Sequence, residues 1–178
     1  MSTNIEFEGK VLEINEKDIL KKLGEQKAKY IGKYLQRRYV FNTIPFNENR
    51  WVRLRSNGEN VTLAVKEIED DSVSGTSEWE VKVSNFEETL EILKKIGIKP
   101  KGYQENRRIE YFMDNCQVTL DFWPKIPAYL EIEGNNENEV YDCAKKLGID
   151  KKDITGMNTT KIYKKYGIDL EKIDNLRF

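Results

Sequence analysis

The chain has 178 residues, 38% hydrophobic and 34% charged, with only 4 Pro, which fits one globular domain with a buried core and excludes a disordered chain. Its net charge of −1 gives no bulk attraction for nucleic acid. The absence of histidine excludes Ser-His-Asp triads, imidazole acid–base chemistry and most zinc sites.

In chain order, residues 4–14 read as a strand. Successive strand side chains point to opposite faces, so Glu6, Glu8 and Lys10 share one face and Ile5, Phe7 and Val11 the other. Two carboxylates about 7 Å apart can share a divalent cation, and the lysine can meet an anion that the cation also touches. Asn15 caps a short helix over 16–23, with Gly24 as its stop. Residues 28–41 predict a long strand, bent at Gly32. Strands over 51–55 and 61–67 form a hairpin across Ser56-Asn57-Gly58. Arg53 and Arg55 share a face there, and Lys66 lies opposite Val61, Leu63 and Val65. Residues 78–83 repeat the first pattern, with Glu78, Glu80 and Lys82 on one side. Trp79, Val81 and Val83 take the other, and Trp79 is expected in the core.

Asn85 caps a helix that runs to Ile96. A second hairpin joins 101–113 to 117–123 across Asp114-Asn115. Arg107 and Arg108 fall on opposite faces of it, so one of the two can join any cluster, while Asp121 sits on the returning strand. A last strand over 128–133 brings Glu131 and Glu133 to one face. A third helix covers 137–147, and Asn158 caps a fourth over 159–166, ended by Gly167. The two cysteines, Cys116 and Cys143, match no metal or CxxC spacing and read as reduced, buried thiols of a cytoplasmic protein. With no apolar leader and no apolar run of about 18 residues, neither secretion nor membrane spanning is expected.

Eight mostly antiparallel strands are enough to close a small barrel. The class is α+β, a single domain over 1–178, with a barrel core over about 1–150 and a helical extension over 151–178. If the apolar strand faces pack outward against helices, the charged faces line the interior. The interior then holds Glu6, Glu8, Glu78, Glu80, Asp121, Glu131 and Glu133 with Lys10, Arg53, Arg55, Lys66, Lys82 and one of Arg107 and Arg108. Unpaired buried charge is costly, so both signs need partners. A strongly anionic ligand with a divalent metal supplies them: arginine and lysine take phosphate oxygens, and the carboxylates hold Mg²⁺ or Mn²⁺.

This ordered set resembles the CYTH superfamily, the triphosphate tunnel metalloenzymes. The resemblance runs from Glu6 to about Tyr166. It rests on Glu6-x-Glu8-x-Lys10, Arg53-x-Arg55, Lys66, Glu78-x-Glu80, Arg107-Arg108, Thr119-Leu120-Asp121 and Glu131-Ile132-Glu133-Gly134. It implies a closed eight-stranded antiparallel barrel with helices outside and a small triphosphate as ligand. The activity it implies is a metal-dependent triphosphatase or a class IV adenylyl cyclase. The chain departs from the pattern at three places. Arg38 stands where a Gln-x-Asp-x-Tyr strand has its Asp, Asn106 where a Lys-x-Arg strand has its Lys, and Lys161-Ile162-Tyr163 where cyclase-like members have Ser-Tyr. A non-catalytic binder of polyphosphate or nucleotide is the reading from a different class. In the enzyme readings Lys10 orients the water or the leaving phosphate, and Glu133 is the residue whose loss should end turnover. Trp51 and Trp123 share phase with charged residues, which leaves base stacking and plain packing both open. A homodimer is also left open.

Overall fold

The computed structural model describes residues 4–178; residues 1–3 of the expected domain lie outside the described residues. The strands are β1 (Ile5–Val11), β2 (Lys29–Asn42), β3 (Arg50–Ser56), β4 (Val61–Ile68), β5 (Thr76–Val83), β6 (Pro100–Met113), β7 (Cys116–Phe122), β8 (Tyr129–Gly134) and β9 (Asn175–Leu176). The helices are α1 (Glu16–Glu25), α2 (Phe86–Lys95), α3 (Glu137–Lys146) and α4 (Thr159–Lys165). All four helices begin at an asparagine: the side chains of Asn15, Asn85, Asn136 and Asn158 accept backbone N–H groups that the first turn leaves unpaired.

The sheet order is β2-β3-β4-β5-β1-β8-β7-β6, and β6 pairs back onto β2. Closure depends on the two 14-residue strands, which stay antiparallel from Lys29 opposite Phe112 to Phe41 opposite Pro100. The expected bend at Gly32 is a register shift between Tyr30 and Gly32. The result is a closed eight-stranded antiparallel barrel, with β9 added as a short parallel pairing on β6.

Two of the three apolar clusters lie outside the lumen, and the third borders it through Trp123 and Tyr129. Ile19 and Leu23 of α1 and Val140, Cys143, Ala144 and Leu147 of the α3 region pack on Val118, Leu120, Leu130 and Ile132 of β7 and β8. Phe86, Leu90 and Leu93 of α2 pack on Phe41, Val52 and Leu54 of β2 and β3. The third cluster joins Ile162, Tyr163, Leu170 and Leu176 of the C-terminal segment to Trp123 and Tyr129. Burying apolar surface on the outer faces leaves the charged faces to enclose the space within.

Three local expectations are corrected. β1 stops at Val11, before the backbone turns at Glu13 (φ 57°). Gly24 lies inside α1, which runs on to Glu25, and Lys27 takes the left-handed position that ends it (φ 55°). Trp79 is 49% exposed rather than core. Its strand does alternate as expected, but α2 covers β2 and β3, α3 covers β1, β7 and β8, and no helix covers this part of β5.

Candidate active site: a tunnel with an acid wall and a base wall

The inward faces enclose a cavity of about 640 Å³, a size typical of ligand sites. Its charge is divided by strand. The neighbours β5, β1 and β8 present Glu78, Glu80, Glu6, Glu8, Glu131 and Glu133 with one base, Lys10. The neighbours β6, β2, β3 and β4 present Arg108, Arg38, Arg53, Arg55 and Lys66 with one acid, Glu110. Strand alternation and barrel closure together therefore build an acid wall that meets a base wall.

Register sets which charges meet directly. Lys10 is opposite Glu131, Lys66 opposite Glu78, and Arg108 opposite Asp121. Two pairs are of like sign: Glu8 opposite Glu133 on the acid wall, and Arg38 opposite Arg55 on the base wall. Like charges directly across a strand pair are destabilising unless a counter-ion joins them.

Ion pairs run both along and between the two walls. Lys10 Nζ lies 2.9 Å from Glu8 and 3.4 Å from Glu131. Lys66 Nζ lies 2.6 Å from Glu6, 3.4 Å from Glu78 and 4.0 Å from Glu8. Arg53 reaches Glu78 at 2.7 Å and Glu80 at 3.2 Å, and Arg55 reaches Glu80 at 3.2 Å. Burial alone would push Glu8 and Glu131 up, but Lys10 and Lys66, joined by Arg108 at Glu131, outweigh it and hold both low. Burial likewise works against the charge on Lys10, yet Glu8 and Glu131 hold its ammonium firmly protonated. Glu6 goes the other way: burial first, then a hydrogen bond shared with Glu78, pushes its carboxyl well above the usual range. Its Oε2 is close to Lys66 but badly angled, so this buried oxygen has no proper hydrogen bond. Glu133 is raised by burial and by the neighbouring Glu131 and Glu8.

The predicted residues are mostly brought together. Lys10, Arg53, Arg55, Lys66, Arg108, Glu6, Glu8, Glu78, Glu80, Glu131 and Glu133 all line the cavity. Three do not. Arg107 points outward and stacks on Phe178 at 4.2 Å, because its neighbour Arg108 has the inward phase. Lys82 has the inward phase but lies two residues beyond Glu80, exposed and off the lining. Asp121 is buried behind Arg108. Both its oxygens are occupied, by Arg108 Nε and Nη2 at 3.0 and 2.8 Å, Asn106 at 2.8 Å and Thr119 at 3.0 Å. It therefore aims Arg108 and does not reach the lumen.

The lining also includes Gln36, Arg38, Trp123 and Tyr129. The inward phase of Gln36 and Arg38 was readable from β2, but nothing local told which face of that long strand the barrel would enclose. Trp51 lines the cavity while half-buried, and Trp123 is 4% exposed, so Trp123 is both packed and lumen-facing.

The CYTH domain profile matches residues 4–158. The chain belongs to the CYTH domain family. Among solved structures, a protein from Pyrococcus horikoshii OT3 is 27% identical, with TM-score 0.74, over 86% of this chain and 96% of that one. A Vibrio parahaemolyticus protein described as a candidate adenylate cyclase shares the fold at 13% identity and TM-score 0.79, over 92% and 99% of the two chains. A candidate adenylyl cyclase from Hippeastrum, described as having a dominant triphosphatase activity, shares it at 14% identity and TM-score 0.61, over 95% and 99%. No curated protein sequence matches the chain significantly. Among the described residues no helix is long and apolar enough to cross a membrane.

One wall of this CYTH tunnel consists mainly of carboxylate oxygens. Among the described residues no three carboxylates are placed to hold a metal ion; Glu6, Glu8 and Glu78 converge instead on the Lys66 ammonium. The carboxylates nonetheless fit a divalent ion chemically. They are hard oxygen donors, and register sets Glu8 directly opposite Glu133.

Proposed function

We propose that this CYTH protein hydrolyses a small triphosphate with the help of a divalent cation. The observation that carries this reading is the division of one enclosed cavity into an acid wall and a base wall, each with a like-charge pair in register. Ions of both signs, bound together, relieve both pairs at once.

Arg53, Arg55, Lys66 and Arg108 hold the phosphate oxygens, with arginine offering two parallel donors to each phosphoryl group. Glu6, Glu8, Glu131 and Glu133, joined by Glu78 and Glu80 from β5, would hold Mg²⁺ or Mn²⁺. When bound, such an ion supplies Lewis-acid polarisation of a phosphoryl oxygen. Lys10 stays protonated, so it serves as a donor to the leaving phosphate and not as a base. Among the described residues the Glu133 side chain has no ion pair, which leaves its carboxylate free to take the proton of the attacking water. Asp121 fixes Arg108 from behind. The triphosphatase activity described for the Hippeastrum protein is the same reaction class and supports the reading.

The test offers inorganic triphosphate, ATP and thiamine triphosphate separately, with Mg²⁺ or Mn²⁺, and identifies the products. Metal-dependent phosphate release from at least one of them is expected. Cyclic AMP with pyrophosphate from ATP would replace hydrolysis by cyclisation on the same tunnel. Binding without any product would make the protein a carrier.

A further inference from the structure

Arg38 is a buried cation that no acid in the tunnel answers. It is 7% exposed on β2, in register with Arg55 on β3 and Gln104 on β6. Its Nη2 donates only to neutral oxygens, Gln36 Oε1 at 3.0 Å and Asn106 Oδ1. Its Nε–H is buried with no acceptor. Arg53, Arg55 and Arg108 each reach a carboxylate; among the described residues Arg38 has no ion pair.

The surroundings of Arg38 are rich in donors and poor in acceptors. Its guanidinium carbon lies 4.6 Å from the centre of the Trp123 ring, and the Trp123 Nε1–H is also buried without an acceptor. Trp123 is held in turn by Tyr163, which meets it edge-on at 6.2 Å and donates its hydroxyl to Pro124 O at 2.7 Å. Burial first, then Arg53 and Arg55 from β3 and Arg108 from β6, push its guanidinium down to about 9, with the Tyr129 phenol of β8 acting the other way.

A phosphoryl group answers each of these features. Its negative charge relieves the Arg38–Arg55 pair, and its several oxygens accept from donors that have none. A nucleoside at the same place would bring fewer acceptors and no charge, and a thiazolium ring would add positive charge beside four arginines.

We propose that Arg38, beside Arg55 and backed by Trp123, holds the end phosphoryl group of an inorganic chain at the place where a nucleoside triphosphate would put its nucleoside, so that this tunnel selects linear inorganic polyphosphate, of three units or more, over nucleoside triphosphates. The inference rests on the triphosphate reading of the same cavity and adds the class of chain it prefers.

The experiment is calorimetric titration of the full chain and of Arg38→Gln with inorganic triphosphate and with ATP, with EDTA present so that nothing turns over. The wild type is expected to bind inorganic triphosphate about 10-fold tighter than ATP. Arg38→Gln should lose about 10-fold for inorganic triphosphate and about 2-fold or less for ATP. Equal wild-type affinities, or a variant that loses both ligands alike or neither, overturns the proposal. Should thermal melts show Arg38→Gln unfolded, Arg38→Lys is titrated instead. That variant keeps the charge without the fork and should lose several-fold for inorganic triphosphate alone; unchanged affinity overturns the proposal. Wild-type binding without selectivity removes only the Arg38 subsite. No binding of either ligand, with or without Mg²⁺, removes the triphosphate reading as well.

Discussion

Adjacent residues with opposite fates give the sharpest tests at the level of single side chains. Arg107 and Arg108 differ by one position, and strand alternation sends the first to Phe178 outside and the second to Asp121 and Glu131 inside. Arg108→Gln leaves the buried Asp121 without its cation and Glu131 with Lys10 alone, so it should lose about 3–5 kcal/mol of stability in denaturant titrations. Arg107→Gln should stay within about 0.5 kcal/mol. Glu133→Gln tests the proton acceptor: turnover of the triphosphate substrate should fall about 100-fold or more, while affinity measured by calorimetry changes far less. The sequence made most of these side chains legible, because Glu-x-Glu and Arg-x-Arg at a period of two can only mean a shared strand face. It did not separate Arg107 from Arg108, since both phases were open until the register with β7 fixed one. Nor did it show that Asp121 is consumed by four donors, because Asn106 and Thr119 reach it only across and along a formed sheet.

At the level of elements, the charged face of β1 is positioned from behind. Gly9 lies on the outer face between Glu8 and Lys10, where Ile154 and Val140 press against the strand. A β-carbon there would come within 2.6 Å of Ile154 Cγ2 and 3.2 Å of Val140 Cγ1. Gly9→Ala should therefore cost about 1–3 kcal/mol by overpacking, read as a lowered midpoint of thermal unfolding. The same contact explains a feature that the sequence did not reveal: residues 151–178 brace the barrel. Thr155 bridges to Lys10, β9 pairs with β6, and α4 supports Trp123. These contacts join residues far apart in the chain, with no periodic signal between them. Helix starts were legible because asparagine caps act locally. Helix coverage was not: alternation placed Trp79 away from Glu78 and Glu80, but which outer faces the helices cover depends on how four short helices are distributed around a closed sheet.

For the molecule as a whole, enclosing many carboxylates links folding to pH. Glu6 keeps its proton in the folded state over a range where an ordinary glutamate, near 4.5, has lost it. The folded protein binds more protons there, so stability should fall as pH rises from about 4.5 into the alkaline range, by at most about 1.4 kcal/mol per pH unit for one group. Glu8 and Glu131 are held low, so their stabilisation is present above 4.5 and is lost as pH falls below it. Stability should peak in mild acid. Glu6→Gln, whose amide is neutral at every pH, should flatten the alkaline slope of the unfolding midpoint. A slope unchanged in that variant would move the effect to another group.

Under the proposed function, the two walls would make cation and phosphate binding one coupled event, since each ion would relieve the like-charge pair that repels on its own side. The direct measurement is calorimetric titration of inorganic triphosphate into the slowly turning-over Glu133→Gln variant at several fixed concentrations of Mg²⁺ and Mn²⁺. The account predicts that Mg²⁺ or Mn²⁺ strengthens triphosphate binding by about 10-fold or more beyond what the same ion does to free triphosphate, with the reciprocal gain for the metal. Triphosphate affinity that is independent of the metal, or a metal that binds equally well with the tunnel empty and filled, would contradict it.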